Sequence, residues 1–181
     1  MKRMLQQEFL NKVENQLEEQ LKEVISVFQN LPEHILKKSG PDNGWSIIEC
    51  IEHLNTYAAF YQPQLAKTIE KAAAAGVSAT FKHSFLGRYF IKSMDPDRSK
   101  KKYKVLKIHK PVIENPNSVV PTFIQHLENM LTLLKQASHK NLGKNSIVTS
   151  ISSWIKINPG DAIQFLLTHN KRHLEQAKRN L

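Results

Sequence analysis

The sequence predicts an all-α fold, a four-helix bundle with a long crossover between helices 2 and 3. Three observations carry that prediction. Four segments repeat apolar residues at helical spacing. Proline and glycine stop signals separate them. The stretch between the second and third segments, 77–117, breaks the helical pattern with Gly87, Pro96, Pro111 and Pro116, which is the signature of a bundle with one long connection. The chain has 181 residues, a length that suits one domain over 1–181 with a core large enough to need no covalent staples.

The first helix is expected over residues 4–30, where Leu5, Phe9, Leu10, Val13, Leu17, Leu21, Val24, Ile25 and Phe28 form the apolar stripe and Glu and Gln fill the other face. Pro32 and the run KKSGPDNG (37–44) end it in a loop. Ser46 and Glu49 make an S-x-x-E capping box that opens the second helix. Ile48, Ile51, Leu54, Tyr57, Ala58, Tyr61 and Leu65 are its stripe, Pro63 bends it, and the alanines carry it on to Gly76. Within the crossover, Phe81, Phe85, Leu86, Tyr89, Phe90 and Ile91 suggest a short helix or turn docked on the bundle, and YKVLKI (103–108) suggests an extended piece. Asn117 or Ser118 caps the third helix, with Pro121 in its first turn and Phe123, Leu127, Met130, Leu131 and Leu134 inward. Residues 145–157 are ambiguous. Asn158-Pro159-Gly160-Asp161 then starts a fourth helix that runs to about Lys178. The short first connection predicts that helices 1 and 2 are antiparallel, and the long crossover lets helix 3 run parallel to helix 2.

The chain carries 26 Lys and Arg against 16 Asp and Glu, a net charge of +10. The excess is local. Residues 82–110 hold ten basic residues against Asp95 and Asp97 alone, so this segment carries +8 and the rest of the chain only +2. Such a run reads either as a solvated connection or as a site for an anionic partner. Only Arg88 and Arg98 there are arginines, the usual readers of bases and phosphates, which speaks against nucleic acid. The single cysteine, Cys50, excludes an intramolecular disulfide framework and suits a reducing compartment. MKRMLQQEFLNKVENQ has no signal-like apolar core, and no stretch reaches the roughly 18–20 apolar residues of a membrane span. The expected location is the cytoplasm.

Histidines carry the functional signal. Of eight, His34, His83 and His109 fall in connections, and His139 sits near a helix C-terminus. His169 and His173 differ. Their i, i+4 spacing puts both imidazoles on one helical face about 6 Å apart at Cβ, on the stripe begun by Ile163 and Leu166. The pair reads either as two arms of a metal clamp or as chance neighbours on a solvated face. It is not the H-E-x-x-H of zinc proteases, because Asn170 stands where the glutamate would be. His53, beside the stripe of the second helix, is a third ligand by position or else a hydrogen-bonded core histidine.

Trp45-Ser46-x-x-Glu49-x-x-x-His53-Leu54 on one helix and His169-x-x-Arg172-His173-x-x-Gln176 on the last resemble the DinB-like (DinB/YfiT) superfamily over most of the chain. The resemblance implies a four-helix bundle, often a homodimer, that binds a divalent metal through three histidines. Carried over residue by residue, these are His53, His169 and His173. It also implies metal-dependent thiol transfer of the bacillithiol or mycothiol kind, or hydrolysis, on a small-molecule substrate. The DNA polymerase that shares the name is unrelated. Imidazole ligation suits Zn or Ni first, and Fe, Mn or Cu next.

Three neutral imidazoles leave a metal open positions, where it lowers the pKa of water toward about 7 or holds a thiol as thiolate. No catalytic residue is assigned. Glu49 shares the His53 face but is employed in the cap. Gln176 is placed to orient His173, Tyr57 to orient a ligand, and Arg172 to guide an anionic substrate or to lie at the surface. Cys50 reads as a fourth ligand or an inert buried thiol, and His126 as a pocket or boundary residue. The missing base favours thiol activation over hydrolysis. The competing readings are a non-catalytic metal-binding or structural bundle and a polyanion-binding module built on 82–110.

Overall fold

Gln6–Val27 forms the first long helix, α1, because Phe9, Val13, Leu17 and Val24 fall on one side and are buried there. A short helix, α2 (Glu33–Leu36), follows Pro32. The computed structural model describes residues 3–40 and 44–181, so Pro41, Asp42 and Asn43 of the expected loop lie outside the described residues. α3 (Ile47–Lys71) starts at the expected capping box: the Ser46 hydroxyl accepts from the Glu49 N–H, and Glu49 Oε2 accepts from the Ser46 N–H at 2.9 Å. α5 (Pro116–Ala137) and α6 (Pro159–Lys178) complete the four long helices. Among the described residues no helix is long and apolar enough to cross a membrane.

Buried amides show how the helices run. Gln20 Nε2 donates to the Leu167 carbonyl at 2.8 Å, and Gln164 Nε2 donates to Gln16 Oε1 at 3.1 Å, so α1 is parallel to α6. Asn55 Nδ2 donates to the Val119 carbonyl and Gln62 Nε2 to the His126 carbonyl, so α3 is parallel to α5. Asn180 Nδ2 reaches the Trp45 carbonyl while Tyr61 meets Phe165, so α3 and α6 are antiparallel. α1 and α3 are each flanked by α5 and α6. They are therefore antiparallel to each other and stand at opposite corners of the bundle.

Several boundaries differ from expectation. α3 stops at Lys71 rather than at Gly76. The alanines favour helix, but here they pair with the segment after α5: Ala75 N–H donates to the His139 carbonyl, Asn141 N–H donates to the Ala73 carbonyl, and Lys140 Nζ caps the carbonyls of Glu70 and Ala72. Asn115, not Asn117 or Ser118, caps α5, with Pro116 at its first position and Pro121 inside the helix. Leu133 takes the buried place expected of Leu131, which is only partly buried. The ambiguous 145–157 segment is a hairpin, β3 (Ile147–Thr149) antiparallel to β4 (Ser152–Ile157). Its turn is held by the Ser150 N–H donating to the Tyr61 hydroxyl at 3.1 Å.

The crossover holds β2 (Thr80–Phe81), paired antiparallel with β1 (Met4–Leu5), then α4 (Phe85–Met94) and a 3-10 turn at Lys107–His109. No strand forms over YKVLKI. α4 is the expected docked helix, and its anchor is polar. Fully buried Asp161, in the first turn of α6, accepts from His83 Nδ1 at 2.7 Å and from the Ser84 hydroxyl at 2.6 Å and N–H at 3.1 Å. Ser84 in turn caps α4 by accepting from the Gly87 N–H. Gly87 lies so close to the Asp161 carboxylate that a Cβ there would overlap it. Gly87→Ala is therefore expected to destabilise the fold by roughly 1–3 kcal/mol, read as a lowered urea midpoint. An unchanged midpoint would mean that α4 is not held against α6 in this way.

Candidate metal centre

The two capped helices α3 and α6 bring three histidines to one place. His53, His169 and His173 each offer a ring nitrogen, and these three atoms lie within 4.8 Å of one another. Among the described residues they are the group of His, Cys, Asp and Glu side chains so arranged. His53 and His169 are only 4% and 3% exposed, and His173 is partly buried. The rings are mutually inclined rather than stacked: His53 lies 5.1 Å from His169 and 4.6 Å from His173, centre to centre.

Two of the rings have one nitrogen already committed. His53 Nδ1 donates to the His109 backbone carbonyl at 2.7 Å. His173 Nδ1 donates to Gln176 Oε1 at 3.0 Å, the contact expected from the sequence. Both carbonyl oxygens can only accept, so both rings are Nδ1–H tautomers whose Nε2 lone pairs remain available. His169 Nδ1 is buried without a hydrogen-bond partner, an unmet polar atom of the kind a metal or ligand satisfies. The donor set thus fits a metal: three rings, two of them oriented from behind.

All three are held uncharged, as ligands must be. Burial pushes the His53 pKa below its usual 6.5, against the opposing His109 bond. Burial, then His53, pushes His173 down to about 3. Burial, then His173 and His53, pushes His169 well below its usual value.

Aromatic rings wall the centre. Trp45 lies 4.8 Å from the His53 ring, Tyr57 4.2 Å from the His169 ring, and Phe165 stacks on His169 at 5.7 Å. Burial and then the neighbouring Tyr61 push the Tyr57 pKa up to about 12, so its hydroxyl stays protonated.

The other expected residues separate. Glu49 is used in the cap. Cys50 is fully buried in the apolar core, outside the histidine group, and burial pushes its thiol up to about 12, which suits an inert thiol. His126 sits away from the centre, its ring against Gln62 Oε1 at 3.2 Å in a surface groove between α3 and α5. Arg172 does not face the centre with a free guanidinium. It donates to the backbone carbonyls of Ser99 at 3.0 Å and Lys101 at 2.6 Å, and Lys171 pairs with Asp97 at 2.6 Å. These contacts tie the basic crossover to α6 within a turn of the cluster.

His109 is the residue that sequence reasoning missed. It is only 1% exposed, its ring stacks on Tyr57 at 3.7 Å, and burial followed by His53 pushes its pKa down to about 4. Apolar patterning gives no signal for it, because the adjacent Ile108 is 59% exposed. His83, also placed in a connection, is the buried partner of Asp161.

A bundle with a cluster of three uncharged histidines between two antiparallel helices defines a class of helical protein built to present ring nitrogens to a shared point. The family model of the DinB superfamily matches residues 16–177, and the chain belongs to that superfamily. No curated protein and no solved structure matches it.

Buried neutral histidines make stability depend on acid. Their folded pKa values lie below the unfolded value of 6.5, so below that pH the unfolded chain binds more protons than the native one. The stability they contribute is present above pH 6.5 and is lost as pH falls toward the folded values of about 4 for His109 and about 3 for His173. Denaturation of metal-free protein should show urea midpoints level above neutrality and falling through this window. His173→Gln should flatten the fall, and an equal slope in wild type and variant would contradict the assignment.

Proposed function

We propose that this protein binds a divalent metal ion through His53, His169 and His173 and is a metal-dependent enzyme that activates a small thiol for transfer to an electrophile. The observation that carries the reading is the convergence of three ligand atoms within 4.8 Å, with the far nitrogens of His53 and His173 already donating to His109 and Gln176. When bound, the metal supplies a Lewis acid that lowers the pKa of a thiol or a water molecule. Zn or Ni suits an all-imidazole set best.

The chain's own residues favour the thiol as the nucleophile. Hydrolysis needs a base to take the proton of water. Glu49 is committed to the Ser46 cap, the histidine group contains no carboxylate, and Tyr57 stays protonated. A thiol needs less help, because its pKa starts near 8.5. Trp45, Tyr57 and Phe165 supply an apolar wall that limits water around the reacting sulfur.

Protein purified without a nickel column is expected to carry stoichiometric metal, and His53→Ala, His169→Ala and His173→Ala are each expected to lose it. Full retention in all three would remove the site. Incubation with an electrophile and a panel of low-molecular-weight thiols should then show thiol consumption that a chelator stops and added metal restores. Metal-dependent turnover of esters or amides without thiol would place the protein among hydrolases. Metal binding with no turnover in either panel would make it a non-catalytic metal-binding bundle.

A further inference from the structure

The metal ligand His53 is held by a residue of the crossover, and the way it is held forms a closed circuit. The Thr56 hydroxyl lies 2.7 Å from the His53 backbone carbonyl and donates its single proton there. The same oxygen lies 3.1 Å from His109 Nδ1. With its proton spent, it can only accept from that nitrogen, so His109 carries its proton on Nδ1. The His109 carbonyl accepts from His53 Nδ1 at 2.7 Å. Each member therefore satisfies the next: His53 ring to His109 backbone, His109 ring to Thr56 hydroxyl, and Thr56 hydroxyl to His53 backbone.

Two members of the circuit are buried and wedged in place. His53 and His109 are 4% and 1% exposed. Tyr57 stacks on the His109 face, and Phe60 meets its edge at 5.8 Å. If the Thr56 oxygen is removed, neither ring nitrogen of buried His109 has a partner, because its Nε2 has none already, and the contact that orients the ring is lost. The carbonyl that fixes the His53 tautomer is then held less firmly.

We propose that Thr56 and His109 are positioning residues for the metal centre, which lock His53 as the Nδ1–H tautomer and so reserve its Nε2 for the metal. The proposal rests on the reading of His53 as a ligand and adds the residues that aim it. Partners of this kind behind a ligand typically change metal affinity by roughly 10–100-fold when removed.

Thr56→Val keeps the shape and removes the oxygen, and Thr56→Ser keeps the oxygen. Zn2+ titration against a chromophoric chelator should show Thr56→Val weakened by at least about 10-fold, with Thr56→Ser restored toward wild type. His109→Phe, which keeps the stacking ring and the backbone carbonyl, should be weakened like Thr56→Val and serves if the valine variant does not fold. Histidine 15N shifts of metal-free protein give an independent readout. Wild type should show His53 as a single Nδ1–H tautomer, and Thr56→Val should show a mixture. Wild-type zinc affinity in Thr56→Val and His109→Phe, or equal loss in the serine and valine variants, would overturn the positioning role. Failure of wild type itself to bind zinc would instead overturn the metal reading, and the tautomer shifts would still show whether the circuit orders His53.

Discussion

Everything at the candidate centre depends on holding three imidazoles uncharged in a place where water cannot stabilise their cations. Three rings whose centres lie about 5 Å apart could not all carry protons without strong mutual repulsion. Burial removes the charge, but it leaves each ring with one donor and one acceptor that must be placed. The surroundings answer for the donors of His53 and His173 by supplying oxygen acceptors at Nδ1. What is left over is a set of three ring nitrogens within 4.8 Å of one another.

The constraint reaches outward to the helix ends. His53 can face His169 and His173 only if α3 and α6 keep one register, and both are started by side-chain caps. Ser46 and Glu49 close the first turn of α3, and Asn158 accepts from the Asp161 N–H at 2.7 Å to open α6. Asp161 then serves twice, since its carboxylate anchors His83 and Ser84 at the start of α4. At the other end Asn180 holds the Trp45 carbonyl, which sets the indole against His53. The cluster lies between two fixed points rather than on free helices, and such placement is what a preorganised ligand set requires.

This layout explains which parts were legible in the sequence. Periodicity and caps are local, so the four long helices, the Ser46–Glu49 box and the i, i+4 pair His169 and His173 could be read directly. The parallel run of α3 and α5 followed from connection lengths. The signals that failed are those settled by distant partners. The alanines after Lys71 favour helix but lose to pairing with residues 139–141. The hairpin at 147–157 takes its place from Tyr61, far away in sequence. His109 lies in a segment with no period at all, and its burial is decided by Tyr57 and Thr56 on α3. Arg172 could be placed beside the paired histidines, yet no local pattern says that its guanidinium would be spent on two backbone carbonyls.

That last contact changes the meaning of the charge. A segment with +8 in 29 residues repels itself and would stand extended if it were only a tether. Here it is drawn in by groups that ignore its lysines. Arg172 holds carbonyls of Ser99 and Lys101, Lys171 holds Asp97, and His53 holds the carbonyl of His109. Because backbone and the acidic minority make the attachments, Lys100, Lys101, Lys102 and Lys104 keep their side chains exposed. The positive charge therefore stays on exposed side chains of a segment whose backbone is tied to α6 within a turn of the histidines. The basic run is thus part of the architecture around the histidines through its backbone.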